Sequence, residues 1–311
     1  MDGGAQRQNR QRSGRVYESV NASGTSRVIN GDVYNYGLKL EADDAEACRS
    51  EILLTDTRDD KAGIISRFGA RVQGTCDWIT RDATYRKWLQ DERSSLLWLS
   101  GPPATGKTTI SVFLTDQLAD SFESKAGRDD GSDDLVLYYF CTRQDERRST
   151  AISILRGLIY LILLRRPHLI NCMLKDFRSH KKNNSLFDPS NREALWRNFN
   201  KIIRELDFEK VYIVLDGLDE CEESSLEWLL VKLKGLSSPE LQPQKPILKL
   251  MIASQRHPRA IPAHLSAFLQ IELFQDTIKE DLKLVIRSKI LKLARKKANE
   301  EKDEVKRKSL W

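Results

Sequence analysis

The chain has 311 residues, a formal net charge of +6, 40% hydrophobic and 31% charged residues, the make-up of a globular protein with ample material for a core. Its five cysteines (Cys48, Cys76, Cys141, Cys172, Cys221) contain no C-x-x-C pair and its histidines no H-E-x-x-H, which excludes a zinc framework and a disulfide scaffold and fits a reducing, cytoplasmic setting. The polar N-terminus does not read as a secretory signal, and the most apolar run, Ile152 to Leu164, is interrupted by Arg156 and too short to span a bilayer.

Residues 1–37 read as a disordered polar tail. Within it, Val16 to Gly24 and Arg27 to Gly37 combine β-branched and aromatic residues with an Asn30-Gly31 turn signal. That pattern also suits a strand-turn-strand unit able to template β-stacking between chains, similar to the short amyloid-signalling motifs of some fungal immune-type receptors. Residues 38–94 read as a helical lead-in, with one helix running from Ala42 through Cys48 to Lys61. Trp78, Tyr85, Trp88 and Leu89 fall at spacings that suit one helical face, as packing residues.

A short buried strand at Leu96 to Leu99 opens a domain expected over 95–275, and Ile110 to Leu118 has helical spacing. An acidic loop from Gly127 to Asp134 precedes Leu135 to Cys141, whose continuous apolar character is that of a buried parallel strand. A helix from Ser149 to Leu164, a polar connection around Lys181 to Ser190, and a helix through Trp196, Phe199 and Ile203 follow. Further strands are expected at Val211 to Leu215, Leu248 to Ala253 and Leu269 to Phe274, with a helix near Leu226 to Leu233 between the first two. This alternation predicts an α/β fold with a doubly wound, mostly parallel sheet. Residues 276–311 read as a basic helical segment, the start of a truncated helical domain, with Leu282, Ile286, Ile290 and Leu293 on one face. The basic runs at the N-terminal tail and from Lys289 to Lys308 read as solvated surface, so nucleic acid is not the expected partner.

The decisive stretch lies between the first strand and its helix. Gly101, Gly106, Lys107 and Thr108 fill the fixed positions of G-x-x-x-x-G-K-[ST], the P-loop. Gly101, Pro102, Pro103, Ala104, Thr105, Gly106, Lys107, Thr108 and Thr109 thus form the candidate phosphate cradle. Its N–H groups and the positive end of the following helix face the phosphates, Lys107 reaches the β- and γ-phosphates, and the Thr108 hydroxyl binds Mg²⁺. At the end of a later strand stands Asp216-Gly217-Leu218-Asp219-Glu220. Asp216 is placed as a metal acid, and Asp219 and Glu220 lie where ligands sit in open α/β sheets, Glu220 preferred for orienting or deprotonating water. Arg256, at the end of the next strand, is placed to sense the γ-phosphate. Plain cap, loop or surface roles remain open for Asp219, Glu220 and Arg256.

Gly-Pro-Pro-Ala-Thr-Gly-Lys-Thr (101–108), Leu-Asp-Gly-Leu-Asp-Glu-Cys (215–221) and Ala-Ser-Gln-Arg-His-Pro (253–258) resemble the NACHT domain of STAND-class signalling NTPases. The lead-in Gly74-Thr75-Cys76-Asp77-Trp78-Ile79, with Trp88-Leu89 and Leu96 to Pro103, resembles the nephrocystin-type NACHT modules of fungal NOD-like receptors. The resemblance covers about residues 70–290. It implies phosphate and metal binding by Gly101, Gly106, Lys107 and Thr108, Mg²⁺ binding by Asp216, assistance to hydrolysis by Asp219 and Glu220, and a sensor role for Arg256. Ala104-Thr105 departs from the common Gly-Ser at positions the P-loop pattern leaves free, and Gln255 replaces a usual Ser. Receptors of this type continue into a winged-helix region and a repeat array, whereas this sequence stops at Trp311, as a truncated or minimal form would.

The function expected is an ATP-binding, slowly hydrolysing signalling switch of innate-immunity type, with Mg²⁺ as metal, which self-associates and acts on a downstream effector protein. The missing N-K-x-D motif favours ATP, with GTP still open. The alternatives are a P-loop small-molecule kinase, a nucleic-acid-dependent ATPase, and a non-catalytic, nucleotide-gated scaffold.

Overall fold

The computed structural model describes residues 33–123, 134–180, 185–237 and 246–308, with side chains over 43–300 of these. Residues 1–43 form a separate unit, of which the start of helix α1 (Val33–Ile52) is described. Most of the tail segment, the acidic loop up to residue 133 and residues 181–184 of the polar connection lie outside the described residues. The helix starts inside the segment expected as tail. The strong helix formers from Leu38 onward propagate α1 back over Val33 to Gly37, because extending a helix costs far less than starting one.

The expected continuous helix from Ala42 to Lys61 is two helices. Asp56 stops the continuity by capping α2 (Thr57–Phe68), its carboxylate accepting from the Arg58 N–H at 2.9 Å. Asp82 does the same for α3 (Ala83–Gln90), accepting from Thr84 and Tyr85 N–H groups. Trp78 therefore lies before a short 3₁₀ turn rather than on the helix that carries Tyr85 and Trp88. Its ring nonetheless packs against the same cluster.

Five strands follow: β1 (Ser95–Ser100), β2 (Leu135–Phe140), β3 (Lys210–Asp216), β4 (Ile247–Ser254) and β5 (Leu269–Glu272). They form one sheet in the order β2-β3-β4-β1-β5, every described pairing parallel. Between them run α4 (Lys107–Glu123), α5 (Ala151–Arg165), α6 (Asn171–His180), α7 (Arg192–Arg204), α8 (Glu223–Leu236) and α9 (Ala260–Leu265), and α10 (Gln275–Lys308) follows. Neither α6 nor α9 stands out in the sequence. Each is short, and α9 contains Pro262; burial of Met173, Leu174 and Phe177 on α6, and of Ile261 and Leu265 on α9, holds them.

Strand alternation divides the core. Leu96, Trp98, Leu137, Tyr139, Ile213, Leu215, Leu250 and Ile252 face the cluster built with α5, α7 and α8. Leu97, Leu99, Tyr212, Val214, Met251 and Ala253 face the cluster holding Trp88 of α3 and Ile110, Phe113, Leu114 and Leu118 of α4. With both faces covered, the strands have no polar side, which is why they read as apolar runs. Each Leu or Ile so buried contributes about 1.5–3 kcal/mol.

The cation among the buried strand residues is Lys249, within β4. Its Nζ donates to the carbonyls of Trp88 (2.9 Å), Asp91 and Arg93 (2.9 Å) and to Ser95 Oγ (3.1 Å), closing the last turn of α3 onto the start of β1. Lys249→Met removes a donor from three carbonyls and should cost about 2 kcal/mol in chemical denaturation. Nucleotide affinity should stay unchanged, since Lys249 pairs in register with Ser95 at the sheet edge remote from the P-loop.

Candidate functional site

The P-loop leaves the C-terminal end of β1 and enters α4, and Asp216 closes β3 at the same edge of the sheet. Strand parity decides where Asp216 points. It shares a face with Tyr212 and Val214, the face covered by α4, so its carboxylate meets that helix. Thr108 Oγ1 donates to Oδ2 at 2.7 Å and Ser111 Oγ to Oδ1 at 2.8 Å. The sequence reading missed Ser111; its spacing of three from Thr108 on α4, which places both on one helical face, is the signal that could have found it.

Burial pushes the Asp216 carboxyl up to about 6 against an ordinary 3.8, while the two hydroxyl donors pull the other way. Lys107, whose Nζ donates to the carbonyls of Gly101 and Pro102 at 2.7 Å each, is lowered by burial, with Asp219, Asp216 and Glu220 opposing in that order. Two carbonyls thus satisfy the half-buried ammonium. Thr105 is buried and staples the loop, its Oγ1 donating to the Pro102 carbonyl at 2.8 Å, while Pro102, Pro103, Ala104, Gly106 and Thr109 are exposed at the loop surface.

Ala104 is not an indifferent replacement. Its φ of 62° lies in the left-handed region, where a Cβ costs roughly 1–2 kcal/mol and glycine costs nothing. Gly101 is needed for close approach: an added Cβ would lie 2.8 Å from Leu273 Cβ and 2.9 Å from Thr105 Oγ1.

The acids after Asp216 diverge. Gly217, at φ 71°, turns the chain sharply, and Leu218 to Glu220 form a 3₁₀ turn. Asp219 is buried, and its Oδ1 accepts from the Gln255 N–H at 3.0 Å, tying this turn to the end of β4. Glu220 Oε2 accepts from the Arg143 N–H at 3.1 Å, and the Arg143 guanidinium donates to the Asp219 carbonyl at 2.7 Å. Arg143 was not anticipated; only its place just past the end of β2 hinted at it. Arg256 is exposed, pairs with Glu272 at 2.6 Å and lies over the Trp98 ring at 5.4 Å. The structure therefore brings Thr108, Lys107, Asp216, Asp219 and Glu220 into one electrostatic neighbourhood and holds Arg256 on Glu272 of β5.

Comparison with known proteins places the chain in a family. The model of the family described as "Nephrocystin 3, N-terminal" matches residues 74–255, more than half of the chain. The chain belongs to that family. The vegetative incompatibility protein HET-E-1 of Podospora anserina is 27% identical over 264 residues, which cover 83% of this chain but only 18% of that protein. The chain thus spans under a fifth of that relative. Two Drosophila ORC structures also align. The DNA-bound one gives a TM-score of 0.35 at 12% identity, covering 85% of this chain and 51% of that one. The one bound to GC-rich DNA and Cdc6 gives 0.29 at 10%, covering 82% and 35%. Scores this low carry no argument, and the fold is read from the sheet itself. This nephrocystin-3-type chain is a NACHT-type module, a nucleotide-binding NTPase of the P-loop class. Among the described residues no helix is long and apolar enough to cross a membrane.

Two outcomes follow from the geometry. Because the folded protein holds the Asp216 proton more tightly than the unfolded chain, this carboxyl's contribution to stability is full below pH 3.8 and lost as pH rises through about 6. Asp216→Asn should abolish that fall and raise the stability of the ligand-free protein at pH 7.5 by on the order of 2 kcal/mol, read from denaturation at several pH values. Gly217→Ala puts a Cβ 2.8 Å from the Cys141 carbonyl oxygen in left-handed backbone. It should lower Tm by about 5 °C, for a cost of about 2 kcal/mol.

Proposed function

We propose that this module binds ATP with Mg²⁺, hydrolyses it slowly, and self-associates in a nucleotide-dependent way as a signalling switch acting on a downstream effector protein in the cytoplasm. The observation that carries the reading is the 2.7 Å contact between Thr108 Oγ1 and Asp216 Oδ2, which joins the P-loop helix to the acid of β3 beside Lys107.

The donor set fits a magnesium ion: a hydroxyl and a carboxylate, both hard oxygen ligands, at the phosphate end of the loop. Thr108 and Asp216 would hold it, and when bound it supplies charge neutralisation at the phosphate oxygens. The chain's own groups do the rest. The N–H groups at the start of α4 and Lys107 bind the β- and γ-phosphates, the lysine exchanging two carbonyls for phosphate oxygens. Glu220 is the acid we assign to orienting water and taking its proton. Asp219 is the buried strut that keeps the turn on the end of β4. Arg256 senses the γ-phosphate by leaving Glu272, a differential interaction of the kind any switch needs.

Support for self-association comes from α10, where Leu282, Ile286, Ile290 and Leu293 are 44%, 56%, 60% and 63% exposed, an apolar row that a second copy of the chain would cover. The family match supports the nucleotide-binding part.

Nucleotide binding, turnover and oligomer size measured on three proteins test this. Lys107→Ala should weaken Mg²⁺-ATP binding by at least about tenfold. Glu220→Gln should keep binding, slow turnover by about 100-fold and accumulate the triphosphate-bound oligomer in light scattering. Unchanged ATP affinity in Lys107→Ala sinks the reading.

A further inference from the structure

The catalytic assignment leaves one pair of contacts unused: the Arg143 main-chain N–H on Glu220 Oε2 at 3.1 Å, and the Arg143 guanidinium on the Asp219 carbonyl at 2.7 Å. Sheet order says which way the first contact draws the carboxylate. Arg143 lies just past the end of β2, and β2 and the P-loop strand β1 are separated by β3 and β4. At about 4.8 Å per strand spacing, the exit of β2 is roughly 14 Å from that of β1. A Glu220 carboxylate bonded to that exit is held on the side of β3 facing away from the P-loop. The electrostatics agree. Of the three acids acting on Lys107, Glu220 exerts the weakest pull, behind Asp219 and Asp216.

We propose that Arg143 is a positioning residue that parks Glu220 in a disengaged pose and thereby restrains basal hydrolysis. This rests on the reading of Glu220 as the group that activates water. The two contacts act as one device. The guanidinium pins the 3₁₀ turn of Leu218 to Glu220 to the loop after β2, and that pinning keeps the main-chain N–H in register with the carboxylate. Without the pin, the turn loosens against the loop, and Glu220 gives up a single hydrogen bond to reach the phosphate side. The small net energy of a hydrogen bond makes such a restraint reversible by a ligand.

The same loop is anchored from elsewhere. Arg148 pairs with Asp60 of α2 at 2.9 Å, Gln144 Oε1 accepts from Arg67 of α2 at 3.0 Å, and the Ser149 carbonyl accepts from the Glu222 N–H. The side chains of Asp60 and Arg148 are 17% and 18% exposed. Arg143 thus works from a loop fixed to the lead-in helix on one side and to the start of α8 on the other, which lets it act as a fixed point for the turn.

Steady-state ATPase kinetics, together with Kd for ATP measured without turnover, test the proposal on the whole chain. Arg143→Ala, and Arg143→Met as the version that keeps the aliphatic stem, should raise kcat about fivefold, the effect of roughly 1 kcal/mol, with Kd unchanged. Arg143→Lys, which still donates to the Asp219 carbonyl, should stay near the unmutated rate. Arg143→Ala combined with Glu220→Gln should be as slow as Glu220→Gln alone, because the acceleration runs through Glu220. A kcat that falls or stays constant in both Arg143→Ala and Arg143→Met, a change confined to Kd, or an acceleration that survives Glu220→Gln overturns the proposal while leaving the ATPase reading intact. An unmutated chain that binds ATP without turning it over overturns both.

Discussion

A single buried carboxylate organises the nucleotide end of this molecule. Asp216 takes one hydrogen bond from each of two hydroxyls on α4, and these contacts join helix and strand although β4 runs between β3 and the strand that feeds the P-loop. Placing an ionisable carboxylate there is costly, and burial holds its proton well above the usual range. An apolar residue would pack more cheaply against α4. On the proposed function, retaining the acid makes sense because a cation and a polyanion would share its charge, the familiar exchange of ligand-free stability for function.

From Asp216 the chain spreads polar contacts sideways across the sheet edge. Asp219 reaches the end of β4 through Gln255, and Glu220 reaches the exit of β2 through Arg143. Adjacent acids thus serve opposite neighbours, because the 3₁₀ turn after Gly217 points successive side chains to different sides. Arg256, one strand further on, is drawn to Glu272 on β5. The site is a row of short contacts across the ends of all five strands. Loop carbonyls on Lys107, a carboxylate on Arg256 and a main-chain amide on Glu220 hold the groups to which the proposed switch gives nucleotide roles.

Much of this was legible in the chain. The sheet's strands appear as apolar runs because both faces are covered, and Gly101, Gly106, Lys107, Thr108 and Asp216 stand out because phosphate and metal chemistry demand those residue types at those spacings. Legibility failed where local signals are weak or tertiary contacts override them. Helix α9 is only six residues long, carries Pro262 in its first turn where no intrahelical N–H bond is lost, and is held by the burial of Ile261 and Leu265, while the ten-residue α6 is held by Met173, Leu174 and Phe177. Lys249 looks misplaced in a buried strand until the carbonyls at the end of α3 and the start of β1 come within reach. Asp56 and Asp82 broke helices that periodicity alone had joined, because a carboxylate one residue before a turn satisfies N–H groups the continuous helix would not expose.

The sequence by itself determined the class of the module, since glycine turns, a lysine, a hydroxyl and a strand-terminal acid are local requirements written in two short runs, 101–109 and 215–221. Only the tertiary structure decided the partners of the remaining groups: Ser111 with Asp216, Asp219 with Gln255, Arg143 with Glu220, Arg256 with Glu272. Those pairs join residues up to 105 positions apart. They arise from strand order and side-chain parity, and neither is fixed until the parallel strands have chosen their neighbours.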